Sequence, residues 1–256
     1  MHYFRFGSGK QWLFCFHGYG EEGNTFSFLE KSLGNDYTLI ALDFPFHGAT
    51  FWKEGLLFTA NDLLQILSMI LQEPNQSINL LGYSMGGRVA LHLLQTVPDK
   101  IGQVILIAPD GLHSNIWHTL ATKTYLGNRL FAFTMHHPIW LFTIIKLAYK
   151  TRLINKSIFN FVHYHLDYKE SRELLYERWT TMRKFNPSIQ LLKKIILQKK
   201  IRVNILFGKY DRIILIKRGV KFRKGIEDYV TITALDAGHQ LLKEKYTDNI
   251  TAMFHG

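Results

Sequence analysis

Eight residues, Leu80-Leu81-Gly82-Tyr83-Ser84-Met85-Gly86-Gly87, constrain this chain more than any others. The short apolar run Ser77–Leu81 reads as a buried strand, and Arg88–Leu94 reads as a helix with one apolar face. A serine at such a strand-to-helix corner is held in a cramped backbone conformation. Glycines two positions before and after it remove the Cβ atoms that would collide there. The hydroxyl then stands out of the fold, beside the first N–H groups of a new helix, which have no partner within it. This pattern is a nucleophile elbow with Ser84 as the nucleophile. A glycine-rich turn that merely caps a helix has similar letters, so the chemistry depends on a base and an acid elsewhere.

The 256 residues suit one large α/β domain with a full core. Apolar runs at Tyr3–Phe6, Trp12–Phe16, Tyr37–Asp43, Val104–Ala108, Ile201–Gly208 and Asp228–Thr233 read as further strands. Helices are predicted over Thr25–Leu33, Thr59–Leu71 and Gln240–Met253. Strands alternating with helices imply a mostly parallel twisted sheet with helices on both faces. From Pro109 to Lys200 the alternation stops, and the segment is helical in character, aromatic-rich and basic. The expected organisation is a core of residues 1–109 and 201–256 with a helical cap, or lid, inserted at 110–200.

Charge follows that division. Residues 111–200 hold 15 Lys and Arg against 4 Asp and Glu, which is the whole +11 of the chain. Such an excess focuses anions toward whatever it borders, unless it is only a solvated face. Within it, Arg129–Tyr149 is rich in Leu, Ile, Phe and Trp but broken by His136-His137-Pro138 and Lys146. That is too interrupted for a membrane span, which needs about 20 predominantly apolar residues. Packing of the cap on the core is expected to absorb most of these side chains. Transient contact of the basic cap with a membrane surface is the accompanying expectation. The N-terminus carries no charged segment leading into an apolar stretch, so a cytoplasmic location is expected. The single cysteine, Cys15, lies in an apolar run and reads as a small buried hydrophobe. No nucleic-acid module is recognisable, and nothing in the chain sets an oligomeric state.

A serine nucleophile needs a base, and the base needs an acid to orient it. His239 stands between the final strand and the final helix, in Asp236-Ala237-Gly238-His239-Gln240. Asp211 follows the preceding strand in Gly208-Lys209-Tyr210-Asp211. Both fall at the carboxyl ends of parallel strands, the edge where open α/β sheets bind ligands. Asp110, just past the strand ending at Ala108, is the rival acid. His17 and His47 read as organisers of the neighbouring loops. His136, His137, His163 and His165 fall in the cap with no cysteine or carboxylate spacing of a metal site. Neither a metal nor a cofactor is expected.

The order Ser84, Asp211, His239 resembles that of the α/β-hydrolase superfamily, with matching segments from about residue 10 to the C-terminus. His17-Gly18-Tyr19-Gly20 looks like the family's oxyanion loop, which implies that the backbone N–H of Tyr19 joins that of Met85 in an oxyanion hole. Asp43–Thr50 resembles the family's D-x-P-G-x-G-x-S loop, with Phe46 and Thr50 in place of glycine and serine. Gly208–Ile214 resembles the acid loop without the proline that often follows it. The resemblance implies a serine esterase acting on a small-molecule acyl ester, possibly an anionic one. A carbon–carbon bond hydrolase or lyase with the same triad stays open, as does a non-catalytic binding protein on this fold.

Overall fold

The computed structural model describes residues 1–71, 73, 76–113, 116–154, 156, 159 and 166–254, with the backbone alone at Ile116 and Trp117. The chain divides into two compact units: Met1–Trp52, Thr59–His113 and Phe185–Gly256 form one, Lys53–Phe58 and Ser114–Lys184 the other.

The first unit is built on a seven-stranded sheet. Its strands are β1 (Tyr3–Phe6), β2 (Gln11–Phe16), β3 (Tyr37–Leu42), β4 (Ile78–Tyr83), β5 (Ile101–Ile107), β6 (Arg202–Gly208) and β7 (Val230–Leu235). They lie in the order β1-β3-β2-β4-β5-β6-β7. Only β1 runs antiparallel, pairing Tyr3 with Leu42 and Phe6 with Leu39. All six residues of β3 and all six of β4 are buried, so side chains of both parities are covered. Strands buried on both faces read as largely apolar runs rather than alternating ones, and here only Thr38 and Asn79 among those twelve residues carry polar side chains inside apart from the Tyr37 and Tyr83 hydroxyls. Fully buried Leu80 and Leu81 contribute roughly 1.5–3 kcal/mol apiece relative to exposure.

The first predicted helix is a 3-10 turn, Gly23–Leu29, running into the short α1 (Glu30–Leu33). The tighter winding delivers Phe26, Leu29 and Leu33 to the core that holds Leu13, Cys15 and Leu39. Next, α2 (Ala60–Ile70) starts at a capping box, Thr59 receiving the Asp62 N–H while the Asp62 carboxylate accepts the Thr59 N–H. The elbow helix is α3 (Met85–Thr96), packed on β2, β4 and β5.

The second unit comprises α4 (Ile116–Lys123), α5 (Tyr125–His136), α6 (Ile139–Lys150) and α7 (Lys169–Thr181). Its polar centre is buried. Arg172 donates through Nε to the Met135 carbonyl at 2.8 Å and through Nη1 to those of Leu166 and Asp167. Asn128 donates to Ala121 O and Thr180 Oγ1 and accepts the Tyr176 hydroxyl. The sequence assigns most apolar residues of Arg129–Tyr149 to packing. In the structure α6 has no buried residue, and α5 buries only Thr134 and Met135.

Back in the sheet unit, α8 (Ile189–Lys199) packs on α3, α9 (Ile216–Arg223) packs on β6 and β7, and α10 (Thr247–Ala252) closes the chain. The last helix is shorter than its apolar pattern suggests. Leu241 N–H bonds to His239 O and Lys243 N–H to Leu241 O, spacings that no helix uses, while Leu241 and Leu242 enter the core.

Candidate active site

Ser84 has φ 49° and ψ −115°, a strained position for a residue with a side chain. The backbone around it enforces this. Ser84 N–H bonds to Ile107 O at 3.0 Å, and its carbonyl accepts the N–H groups of Gly87 (2.9 Å) and Asp110 (2.8 Å). A Cβ on Gly82 would come within 2.6 Å of the Gly86 carbonyl oxygen. One on Gly86 would reach 1.9 Å from Phe16 O and 2.8 Å from His17 O. Glycine at these two positions is therefore what lets α3 start directly against the end of β2.

His239 faces Ser84 from the loop after β7. Its Nε2 lies 3.0 Å from Ser84 Oγ, and its Nδ1 lies 2.7 Å from Asp211 Oδ2. Asp211 is 4% exposed, and its other oxygen accepts the N–H groups of Ile213 (2.7 Å) and Ile214 (2.9 Å). A carboxylate only accepts, so Nδ1 carries the proton and Nε2 presents its lone pair to the serine hydroxyl. Asp110 is engaged elsewhere: Oδ1 accepts the Gly111 N–H, and Oδ2 is 3.6 Å from Arg88 Nε. Of the two carboxylates considered from sequence, the structure brings Asp211 to the histidine.

Met85 is the first residue of α3 and is buried, and Tyr19 lies in the loop after β2 with its side chain partly exposed. The Gly86 contacts put these two backbone segments against each other. His17 braces the loop between them, with Nδ1 2.7 Å from Gly18 O and Nε2 accepting the Phe44 N–H at 3.1 Å. The second bond requires a lone pair on Nε2, so the proton is on Nδ1. His47 packs edge-on to Tyr19 and 5.0 Å from the His17 ring. Phe46, standing where the resembling loop has glycine, still adopts φ 62°. Asp43 holds that loop through the N–H groups of Gly23 and Ala49.

Two side chains at the site escaped the sequence reading. Tyr83 lies along the His239 ring at 5.6 Å and donates its hydroxyl to the His239 carbonyl at 3.3 Å. Burial first, then the carboxylates of Glu21 and Asp211, hold its phenol above the usual range, so it remains a neutral donor. Glu21 accepts the Gly18 N–H at 3.1 Å through Oε2. Burial raises its pKa from the ordinary 4.5, while the Gly18 bond and the charges of His239 and Lys243 pull it back down. The signal available was an acidic pair placed directly after His17-Gly18-Tyr19-Gly20, at a strand end where polar side chains turn inward.

The sign of the Glu21 effect follows from linkage. With its pKa raised by folding, the native state binds more protons than the unfolded chain between 4.5 and the raised value. This contribution is fully present below 4.5 and is lost as pH rises through the folded pKa. Glu21→Gln keeps an acceptor for Gly18 N–H but cannot ionise. In paired thermal melts at a series of pH values, the variant should gain on the wild type as pH rises above 4.5 and then level off. Melting curves that stay parallel across the series would contradict this assignment.

The basic excess does not follow a single insertion. Lys193, Lys194 and Lys199 lie on α8 and Lys200 just beyond it, all in the sheet unit. Lys199 pairs with Asp99 at 2.5 Å, and Lys193 donates to the carbonyls of Lys221 and Lys224. Helix α8 leaves the helical unit because Leu192, Ile195 and Ile196 are buried in the sheet unit's core. Among the described residues no three His, Cys, Asp or Glu side chains converge as a metal site. His163 and His165 fall outside the described residues. Cys15 is fully buried, and burial pushes its thiol well above its usual pKa, which leaves it unreactive.

A serine elbow, a histidine and an aspartate at the carboxyl edge of a mostly parallel sheet define the α/β-hydrolase class. A family model described as the alpha/beta hydrolase fold matches residues 11–133. The chain is 31% identical over 108 residues to a pimeloyl-[acyl-carrier protein] methyl ester esterase of Vibrio parahaemolyticus, covering 42% of this chain and 40% of that protein. It is 30% identical over 145 residues to the protein of the same name from Aeromonas salmonicida, covering 56% of each. These matches span only 40 to 56% of the relatives' length. A thermophilic esterase from Thermogutta terrifontis superposes with a TM-score of 0.67 at 17% identity, covering 99% of this chain and 91% of that one. The chain has the α/β-hydrolase fold.

Proposed function

We propose that this protein is a serine esterase that cleaves carboxylic esters through an acyl-enzyme intermediate. One observation carries the reading: the unbroken line from Ser84 Oγ through His239 to Asp211 Oδ2, with gaps of 3.0 and 2.7 Å, on a serine strained at φ 49°. The names of the two sequence relatives, both methyl ester esterases, support a carboxylic ester as the bond cleaved.

Ser84 Oγ attacks the ester carbonyl carbon while His239 Nε2 takes its proton. Asp211 keeps Nδ1 protonated and stabilises the imidazolium that forms. The carbonyl oxygen becomes an oxyanion, held by the backbone N–H groups of Met85 and Tyr19. The C–O bond to the alcohol then breaks, and the imidazolium returns its proton to the leaving oxygen. Water attacks the acyl carbon, giving its proton to His239, and collapse restores Ser84 and releases the carboxylic acid.

Turnover of p-nitrophenyl acyl esters, together with stoichiometric fluorophosphonate labelling mapped to Ser84, tests this reading. An esterase shows both. A binding protein on the same fold shows no turnover, and labelling at another residue would move the nucleophile.

A further inference from the structure

We propose that the outward faces of α5 and α6 dock the protein on an anionic lipid surface. The observation is an apolar helix with no fully buried residue and one side left exposed, while Leu141, Phe142, Ile145 and Ala148 on the other side are half-buried. Helix α6 reads Ile-Trp-Leu-Phe-Thr-Ile-Ile-Lys-Leu-Ala-Tyr-Lys, and none of its residues is buried. Ile139, Trp140, Ile144 and Leu147 are 37 to 79% exposed. At about 100° per residue they fall within an arc of about 140°, so they form one side of the helix. On α5, Leu126, Leu130 and Phe133 are likewise 53 to 77% exposed, while Thr134 and Met135 face inward. Scattered exposed apolar residues are ordinary, whereas two consecutive helices that each expose an apolar face mark a contact surface.

Charge identifies the occupant. The stretch between Asp110 and Asp167 contains no Asp or Glu and six Lys and Arg, two of them Lys146 and Lys150 on α6 itself. A second copy of the same face would set these like charges against each other. An anionic headgroup layer instead pairs with them while the apolar side chains enter the acyl boundary. Trp140 suits that boundary, with an apolar ring and one N–H donor. The pair lies on the membrane rather than through it. Each helix has 12 residues, about 18 Å, against a hydrocarbon core of about 30 Å. The two are bent by 86°, and among the described residues no single helix is long and apolar enough to cross. The inference stands apart from the esterase reading and holds whatever Ser84 does.

The full chain, floated with vesicles of phosphatidylglycerol and phosphatidylcholine, should bind at low salt and release at high salt. Binding to phosphatidylcholine alone should be at least tenfold weaker. Ile139→Gln with Leu147→Gln should lose about tenfold or more on the anionic vesicles. Lys146→Gln with Lys150→Gln should lose about fivefold per lysine there and nothing on the neutral ones. These side chains are exposed, so unchanged melting temperatures accompany the losses. Should a variant melt early, brominated-lipid quenching of wild-type tryptophan fluorescence, lost in Trp140→Phe, reads the same contact. Absence of binding to anionic vesicles would overturn the proposal. So would binding indifferent to both double variants, or a dimer in sedimentation that Ile139→Gln with Leu147→Gln dissolves.

Discussion

Ser84→Ala should lower kcat/KM for a p-nitrophenyl ester by on the order of 10⁴-fold or more, with the fold intact. In the proposed mechanism the size follows from the loss of the oxygen that bonds to the acyl carbon. What survives is the binding and oxyanion stabilisation that a triad-less site still supplies over water. The fold is spared because Ser84 serves the architecture through its backbone alone. Its N–H to Ile107 O and its carbonyl to Gly87 and Asp110 do not involve the hydroxyl. Alanine also bears the φ 49° strain no worse than serine, since each carries one Cβ. Steady-state kinetics alongside circular dichroism and a thermal melt check both halves. Purified variant retaining more than a few per cent of activity would remove Ser84 from the chemistry.

The second large effect separates two aspartates. Asp211→Asn should cost on the order of 10⁴-fold in kcat while preserving the loop. An asparagine keeps one oxygen for the N–H groups of Ile213 and Ile214, so the turn stays. Its amide then donates to Nδ1, which drives the proton to Nε2, and that nitrogen can no longer accept from Ser84. Asp110→Asn should be far milder, because the Asp110 carboxylate meets Gly111 N–H and Arg88 rather than His239. Comparing kcat for the two variants decides the matter, and the opposite ranking would transfer the role to Asp110.

The elbow was legible in the sequence because its requirement is local. Positions two before and two after the serine must lack Cβ atoms, since a Cβ at Gly82 or Gly86 would collide with backbone within that corner or at the end of β2. Both-face burial of the central strands was legible for a similar reason, since β5 carries the unbroken apolar run Val104–Ile107, all of it buried. Local pattern misjudged the final helix, where apolar residues Leu241 and Leu242 point into the core from a non-helical chain. The insertion drawn from the stop of the strand–helix alternation runs to Lys200 and so takes in α8, whereas the buried Leu192, Ile195 and Ile196 carry that helix into the sheet unit.

By itself, then, the sequence determined the strand–helix order, the serine at its corner and the two aspartates at strand ends near it, all properties of short stretches. The tertiary structure brought Asp211, 28 positions away, and Ser84, 155 positions away, to the two nitrogens of His239. It alone placed Glu21 against the Gly18 N–H and Tyr83 along the His239 ring. It alone left Ile139, Ile144 and Leu147 of α6 exposed. Helical period shows which residues share a face, but what covers that face depends on the path of the whole chain.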